Sequence, residues 1–275
     1  MVCRVAAVAA LGMFGMVGCS ETPAPTGHVA FQVTSRSSPD AAASGVGSRL
    51  AAADSSVVAY GGDTIVIRRA ELVLRNLWLQ PAETGECEPE EEEYCAELQN
   101  DLVVLTFPLA DSAEHRFVAA AKPGAYSGLQ LEVYNPAPDR EAGFLASHPE
   151  FVSTSARFQG TLSRSGRRRD FVATSDLTGI QELALSAPLA VQAGDTTRLT
   201  LRVDLARVFL GADRTSLIDP ATTAPGGPNA HLLQDNIRMS LRAFRDENRD
   251  GLDDESTARA VDSSQAMRQA GESSF

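Results

Sequence analysis

Residues 198–205, with the sequence RLTLRVDL, decide the fold class because apolar and polar side chains alternate along them without a break. A period of two places alternate side chains on opposite faces of a β-strand. One apolar and one polar face are typical of an antiparallel sheet that covers a core on one side and meets water on the other. Residues 129–133 and 237–241 show the same alternation, and we predict strands there too.

Further short apolar segments extend the prediction of strands over most of the chain. Residues 65–79 indicate one long strand or a strand pair, since four charged side chains argue against a buried helix. Other strands are predicted at 28–34, 102–107, 116–119, 158–162 and 170–174. Gly and Pro turns separate these segments, and many short strands with such turns predict an all-β protein, an antiparallel β-sandwich with long loops. Short helices are predicted at 142–147 and in the C-terminal tail.

The 275 residues, of which 43% are apolar, are enough for one elaborated sandwich or for two small domains. We favour one sandwich over residues 28–255, because no convincing linker divides it. Two loops interrupt it: a flexible Ser/Ala/Gly-rich loop at 35–55 and a glutamate-rich acidic loop at 83–97. Residues 256–275 form a short tail with some helical character.

The charge balance excludes several functions. The chain has 36 acidic and 24 basic residues, for a net charge of −12. Nucleic-acid binding and adhesion to anionic lipid through a polybasic patch both need a basic surface, so neither is expected. No apolar run reaches the roughly 20 residues that a transmembrane helix needs.

The N-terminus predicts export and a lipid anchor. One positive charge precedes an apolar stretch at 5–18, which is typical of a signal peptide over residues 1–18. Gly18 followed by Cys19 resembles the bacterial lipoprotein box, in which that cysteine is acylated and becomes the new N-terminus. Residues 19–27 would then be a tether, and Ser20 indicates the outer membrane in a host that has one. The alternative is an ordinary signal peptide with a stray cysteine.

Cys3 would leave with the signal peptide and Cys19 would carry the lipid, so Cys87 and Cys95 remain, on either side of most of the acidic loop. An even pair in an oxidising compartment predicts a disulfide, which would hold together a loop that repels itself. The alternative is a two-cysteine metal site. It needs two more soft ligands, and no histidine lies near in sequence.

Residues 246–255, with the sequence DENRDGLDDE, are the most specific local signal. Oxygen ligands at alternate positions before a glycine resemble the first half of an EF-hand-like calcium loop. The candidate ligands are Asp246, Asn248, Asp250, the Leu252 carbonyl and Asp254. Position twelve is Thr257 instead of a glutamate, and either Glu255 or Asp253 would substitute for it. Calcium is the expected cofactor. The alternative is a solvated acidic turn, because Asp, Asn and Gly are ordinary turn formers.

Catalytic motifs are scarce, and we expect no enzymatic activity. The single lysine, Lys122, excludes a Walker loop and a Ser-x-x-Lys pair. His148 and Glu150, flanked by aromatic residues, form a candidate binding site or an ordered corner, and we favour the corner. The arginines at 167–169 are interpreted as a solvated hairpin tip rather than a phosphate site. Trp78, between leucines, is interpreted as core rather than as a sugar platform.

A turn at Pro123 and Gly124 followed by Tyr126 and an alternating strand is similar to a segment of uncharacterised bacterial lipoprotein domains. In those domains an earlier strand like that at 70–79 precedes it. The resemblance covers about residues 63–134. It implies a β-sandwich of unknown function at the cell envelope and assigns no catalytic residues.

These observations predict a lipid-anchored, non-enzymatic envelope protein. It would bind a glycan, a peptide or another envelope protein through loops that a rigid sandwich presents. One alternative is an envelope hydrolase with a site around His148 and Glu150. Another is a periplasmic metal-binding lipoprotein that uses histidines and the glutamate run.

Overall fold

The computed structural model describes residues 26–36, 55–83, 95–109 and 113–254. Most of these residues lie in strands. The strands are β1 (Gly27–Arg36), β2 (Ser56–Tyr60), β3 (Asp63–Pro81), β4 (Ala96–Gln99), β5 (Val103–Thr106), β6 (Glu114–Ala121), β7 (Gly124–Val133), β8 (Ala156–Arg164), β9 (Arg167–Ser175), β10 (Gly179–Val191), β11 (Thr196–Asp204) and β12 (Leu241–Arg245). The helices are α1 (Ala142–Ser147), α2 (Leu205–Val208) and α3 (Ala230–Ser240), with 3₁₀ turns at Pro149–Phe151 and Pro220–Thr222.

The strands form two sheets. One has the order β12-β11-β1-β6, and the other has the order β10-β7-β3-β8-β9 with β2, β4 and β5 also paired to β3. This arrangement confirms the predicted all-β, sandwich-like fold. The pairing is antiparallel with one exception among the described strands, because β1 and β11 run parallel. Strands far apart in sequence need no hairpin between them, so nothing in the chain forces them to be antiparallel.

The core lies between the two sheets. Alternate residues of β1 and β11, such as Phe31 and Leu201, are fully buried in the same cluster as residues of β3 and β7, such as Leu74 and Leu131. Because side chains of a strand alternate in direction, each sheet contributes one apolar face to this cluster. The alternation at 129–133 and 199–203 therefore predicted the strands and their buried residues correctly.

Strand β3 is the longest, with 19 residues, and it is a single strand rather than a pair. It pairs with β2, β5 and β4 along one edge and with β8 and β7 along the other. Bulges at Arg68 and near Asn76 let it change partner along its length. Asn76 has a φ of 51°, a conformation that asparagine tolerates better than most residues.

A buried carboxylate lies in the middle of β3. Glu71 is 1% exposed and is paired in register with Thr106 of β5 and Arg157 of β8. Its carboxylate forms ion pairs with Arg69 at 2.8 Å and with Arg157 at 3.3 Å. Two guanidinium partners offset the cost of removing the charge from water, so an acidic residue is tolerated at this position.

The predicted strand at 237–241 is wrong over most of its length. Residues 237–240 end helix α3, and β12 begins only at Leu241. Leu233 and Ile237 are buried one helical turn apart, whereas Met239 is 43% exposed. Ile237 fits a helix through its spacing of four from Leu233 and a strand through its spacing of two from Met239. Packing of the side chains selects the helix.

The other predicted elements can be compared directly. Helix α1 has the predicted bounds, and the strands predicted at 28–34, 102–107, 116–119, 158–162 and 170–174 are present with shifted ends. Strands β2, β4 and β10 were not predicted. Of the predicted loop at 35–55, the first two residues belong to β1, and 37–54 lie outside the described residues. The acidic loop ends at Cys95, because β4 starts at the next residue.

The predicted signal peptide at 1–18, most of the tether and the tail at 256–275 lie outside the described residues. In the described part of the chain, none of the helices combines the length and the apolar character needed to cross a bilayer.

Replacing Glu71 by alanine should lower the free energy of unfolding by about 2–4 kcal/mol, because Arg157 would lose its partner inside the sheet while half-exposed Arg69 is resolvated. Urea unfolding measures the change. The control is Asp235→Ala, which breaks an exposed pair with Arg238 and should change stability by less than about 1 kcal/mol. Equal effects of the two substitutions would contradict a structural role for Glu71.

Candidate functional site

A cleft opens where helices α2 and α3 meet the end of the four-stranded sheet. Its volume is about 410 Å³, which is within the range of small-ligand sites. Its walls carry apolar side chains, two arginines, an aspartate and an asparagine. The lining includes Tyr60, Asp204, Arg207, Leu210, Arg214, Leu232, Asn236 and Met239. We call this the α2–α3 cleft.

The chain forms the first wall by passing directly from β11 into α2. Asp204 ends the strand and caps the helix, since its carboxylate accepts a hydrogen bond from the Ala206 backbone N–H at 3.2 Å. The Arg207 Nε donates to the same carboxylate at 3.0 Å. Burial raises the pKa of Asp204 above its ordinary value, while Arg207 and the backbone N–H lower it in part. The cleft floor therefore holds a carboxylate that is already paired.

Asn236 fixes the second wall to the first. It is buried on α3, and its side-chain amide donates to the carbonyl of Val208 at 3.2 Å and to that of Leu210 at 2.8 Å. Val208 is the last residue of α2 and Leu210 lies two residues beyond it, where backbone acceptors have no partner within the helix. The two helices are thus held at a set distance, and the cleft is preformed.

The rim is a turn over residues 210–217, closed by an isolated bridge between Leu210 and Leu217. Asp213 Oδ1 accepts hydrogen bonds from the backbone N–H groups of Thr215 and Ser216 at 3.0 and 3.1 Å. These bonds lower the pKa of Asp213, the Thr215 N–H most of all. The turn places Arg214, with a φ of 56°, at the cleft.

The cleft continues into a smaller basic recess. Asp204, Arg207 and Met239 line both, and the recess adds Arg36, Arg202 and Arg242. Five arginines against one aspartate leave an excess of positive charge along the whole groove. On a chain with a net charge of −12, this groove favours anionic groups.

His148 and Glu150 do not belong to this cleft. The His148 Nδ1 and Glu150 Oε1 atoms are 4.0 Å apart, and both side chains are partly exposed. The His148 ring packs on Phe144 with ring centroids 4.8 Å apart and lies near buried Phe151. The arrangement supports an ordered corner, while the hydrolase alternative stays a hypothesis.

The predicted calcium loop is closed by its own hydrogen bonds. Fully buried Asp246 accepts from the backbone N–H groups of Asp250 at 3.1 Å and Gly251 at 3.0 Å. Asp250 also accepts from the Leu252 N–H, and Asp254 from the Glu247 N–H. Burial raises the pKa of Asp246, and the charge of Asp250 raises it further.

Across the ranges that the structure describes, no three His, Cys, Asp or Glu side chains form a group arranged to hold a metal. The candidate ligand set also includes the Asn248 amide, the Leu252 carbonyl and Glu255, and Glu255 lies outside those ranges. Calcium binding therefore stays a prediction. The same holds for the disulfide, since Cys95 is buried beside β4 while Cys87 lies outside the described residues. Cys19 lies outside them as well.

The cleft was missed by the sequence analysis. Its residues come from three stretches of the chain, at position 60, at 204–214 and at 232–239, and no motif connects them. The available signal was the recurrence of arginines at Arg202, Arg207, Arg214 and Arg242 on an acidic chain. The prediction of a strand at 237–241 obscured it.

A comparison with models of known protein families finds no match, and a comparison with curated proteins finds none. A comparison with solved structures finds a similarity to MbnP from Methylosinus trichosporium. It has 13% sequence identity and a TM-score of 0.34, and it covers 67% of this chain and 77% of that one. A similarity at this level carries no inference about ligand or activity. The resemblance to lipoprotein domains over 63–134 stays a prediction.

We expect the carboxyl group of Asp204 to titrate above the ordinary value of 3.8. Removing the partner charge with Arg207→Gln should raise this pKa further, because the guanidinium stabilises the ionised form. Carboxyl ¹³C NMR measures both values. Arg238→Gln removes a similar charge from the exposed side of α3 and should leave the titration of Asp204 unchanged.

The raised pKa also sets a pH dependence of stability. The stability contribution of protonated Asp204 is fully present below the unfolded pKa and is lost as the pH rises through the higher folded pKa. Asp204→Asn retains a good capping residue that does not titrate. The melting temperature of this variant, relative to that of the parent, should therefore increase as the pH rises through this window. A difference between the two melting temperatures that stays constant from pH 3 to pH 7 would contradict the raised pKa of Asp204.

Proposed function

We propose that this protein is a lipid-anchored, non-enzymatic binding protein of the cell envelope, with the α2–α3 cleft as its binding surface. The observation that carries the proposal is the preformed cleft. Its helices are fixed by Asn236, and its lining places Arg214 beside apolar side chains. The fitting partner is an envelope-protein segment or a glycan with an apolar face beside an anionic group.

The chemistry of the cleft supports binding rather than turnover. The Asp204 carboxylate is engaged by Arg207 and the Ala206 N–H, and the Asn236 amide is engaged by two backbone carbonyls. What faces the ligand is Arg214 with the apolar side chains of Leu232 and Met239. Such a surface desolvates an apolar group and pairs with an anion, which are the two usual sources of affinity in a small site.

The Met239 methyl group is a direct reporter of the cleft. Phenylacetate, an apolar ring with a carboxylate, should shift its ¹³C-methyl resonance saturably, whereas neutral phenylacetamide should bind less tightly by about tenfold. Arg214→Gln should reduce the difference between the two probes. Ile180→Glu, which alters a 60% exposed residue on β10, should leave both shifts unchanged. Equal binding of both probes, or no binding, would contradict the proposed cleft chemistry.

The anchor is tested separately with the two N-terminal cysteines. In a diderm bacterium fed with labelled palmitate, the full chain should incorporate the label and partition with membranes. Cys19→Ala should abolish incorporation, whereas Cys3→Ala should retain it because Cys3 lies within the predicted signal peptide. Incorporation that survives Cys19→Ala would show that the acylated residue is a different one.

Calcium would stabilise the loop at 246–255. This proposal is supported by buried Asp246, because a cation would offset its charge and that of Asp250. With a dissociation constant of about 0.1–1 mM, 10 mM calcium would add about 1.4–2.7 kcal/mol of stability. Thermal melts in calcium and in EDTA measure this gain. Asp250→Ala should remove this calcium-dependent gain, and Asp235→Ala should retain it. Identical curves in calcium and in EDTA would contradict the calcium site and show a plain acidic turn.

A further inference from the structure

The tip of the β8–β9 hairpin concentrates positive charge on an acidic chain. Four of the six residues at 164–169 are arginines. They line an open cavity of about 670 Å³ that is separate from the α2–α3 cleft. The cavity is lined by Leu162, Arg164, Ser165, Arg167, Arg168, Arg169 and Asp219. We call this group of residues the arginine tip.

Strand register directs three of the four arginines to one face. Arg164 is paired directly with Arg167 across the hairpin, and Leu162 is paired with Arg169. Because alternate residues of a strand share a face, all three guanidinium groups lie on the side of buried Leu162. Like charges at opposed positions destabilise a hairpin, so this face gains if an anion lies between them.

Two of the arginines are held in place by carboxylates. Arg164 Nε pairs with Asp63 at 2.7 Å, and its Nη2 donates to the Leu217 carbonyl at 2.7 Å. Arg169 forms an ion pair with Asp219. These contacts orient two planar side chains at the edge of the cavity before any ligand arrives.

The side chains of the other two arginines are available to a ligand. Arg167 and Arg168 are exposed, and within the described ranges neither side chain forms a hydrogen bond or an ion pair. Four arginines against the carboxylates of Asp63 and Asp219 leave a local excess of two positive charges. This excess matches the charge of a doubly ionised phosphate.

We propose that the arginine tip binds a phosphate group. Guanidinium groups present paired N–H donors in a plane that matches phosphate oxygens, and they stay charged at any physiological pH. Arg167 supplies the principal donor pair, Arg168 adds charge, and the held Arg164 and Arg169 shape the site. The phosphate belongs either to a lipid headgroup or to a soluble phosphate compound, since both present the same oxygens.

The first test is calorimetric titration of the full chain, purified in a non-ionic detergent, with inorganic phosphate. We expect saturable binding, and ¹⁵N NMR of the arginine Nε–H groups should show shifts at the tip. Arg167→Gln should weaken binding about tenfold, and adding Arg168→Gln should weaken it further. Arg167→Lys retains the charge but not the planar donor pair, so it should recover only part of the affinity.

The control is Arg140→Gln, which removes one exposed charge near the other end of β8 and should leave phosphate binding unchanged. Thermal melts identify any variant that fails to fold. Arg167→Gln itself should melt at the same or a slightly higher temperature than the parent, because it relieves the repulsion with Arg164.

Detergent micelles then distinguish the two sources of phosphate. Micelles doped with phosphatidic acid should shift the tip resonances more strongly than free phosphate if a lipid headgroup is the ligand. Micelles doped with phosphatidylcholine are the matched control. Equal affinity for free phosphate and for phosphatidic acid indicates a soluble ligand. No saturable binding of either, or binding that Arg167→Gln with Arg168→Gln leaves intact, would overturn the proposal.

Discussion

The pairing of β3 along both edges is the constraint on which the rest of the structure depends. Five other strands bond to this one strand, so any change in its register would move every one of them. Glu71 lies where β5 and β8 face each other across it, held by Arg69 and Arg157. A buried ion pair of this kind is weak evidence for stability but gives strong preference for one register, since a shifted strand would bury an unpaired charge.

Both candidate sites lie near the same end of β3. Tyr60 of the α2–α3 cleft and Asp63 of the arginine tip are separated only by the β2–β3 turn. Arg164 also donates to the carbonyl of Leu217, whose bridge to Leu210 closes the rim of the cleft. The two surfaces therefore share one supporting turn and are joined by hydrogen bonds through Leu217.

The sequence predicted those parts of the fold that depend on local period. Leu129, Leu131 and Val133 alternate because one side of β7 faces the core, and that pattern is readable without the partner strand. The parallel pairing of β1 with β11 was not readable, since it joins residues nearly 170 positions apart. Ile237 fits a period of two with Met239 and a period of four with Leu233, and only the contacts of α3 select the helix. The α2–α3 cleft could not be predicted either, because its lining residues meet only through tertiary contacts.

Charge distribution links the fold to its proposed role. A net charge of −12 repels anions at long range, yet both surfaces at this end of the sandwich carry more arginine than acid. Salt reduces interactions between exposed charges beyond about 8–10 Å, so an approaching anion responds to the nearest guanidinium groups rather than to the whole chain. The acidic remainder of the surface then disfavours anionic contacts elsewhere. Concentrating arginines at one end of an acidic sandwich would therefore orient an anionic partner of the proposed kind as well as attract it.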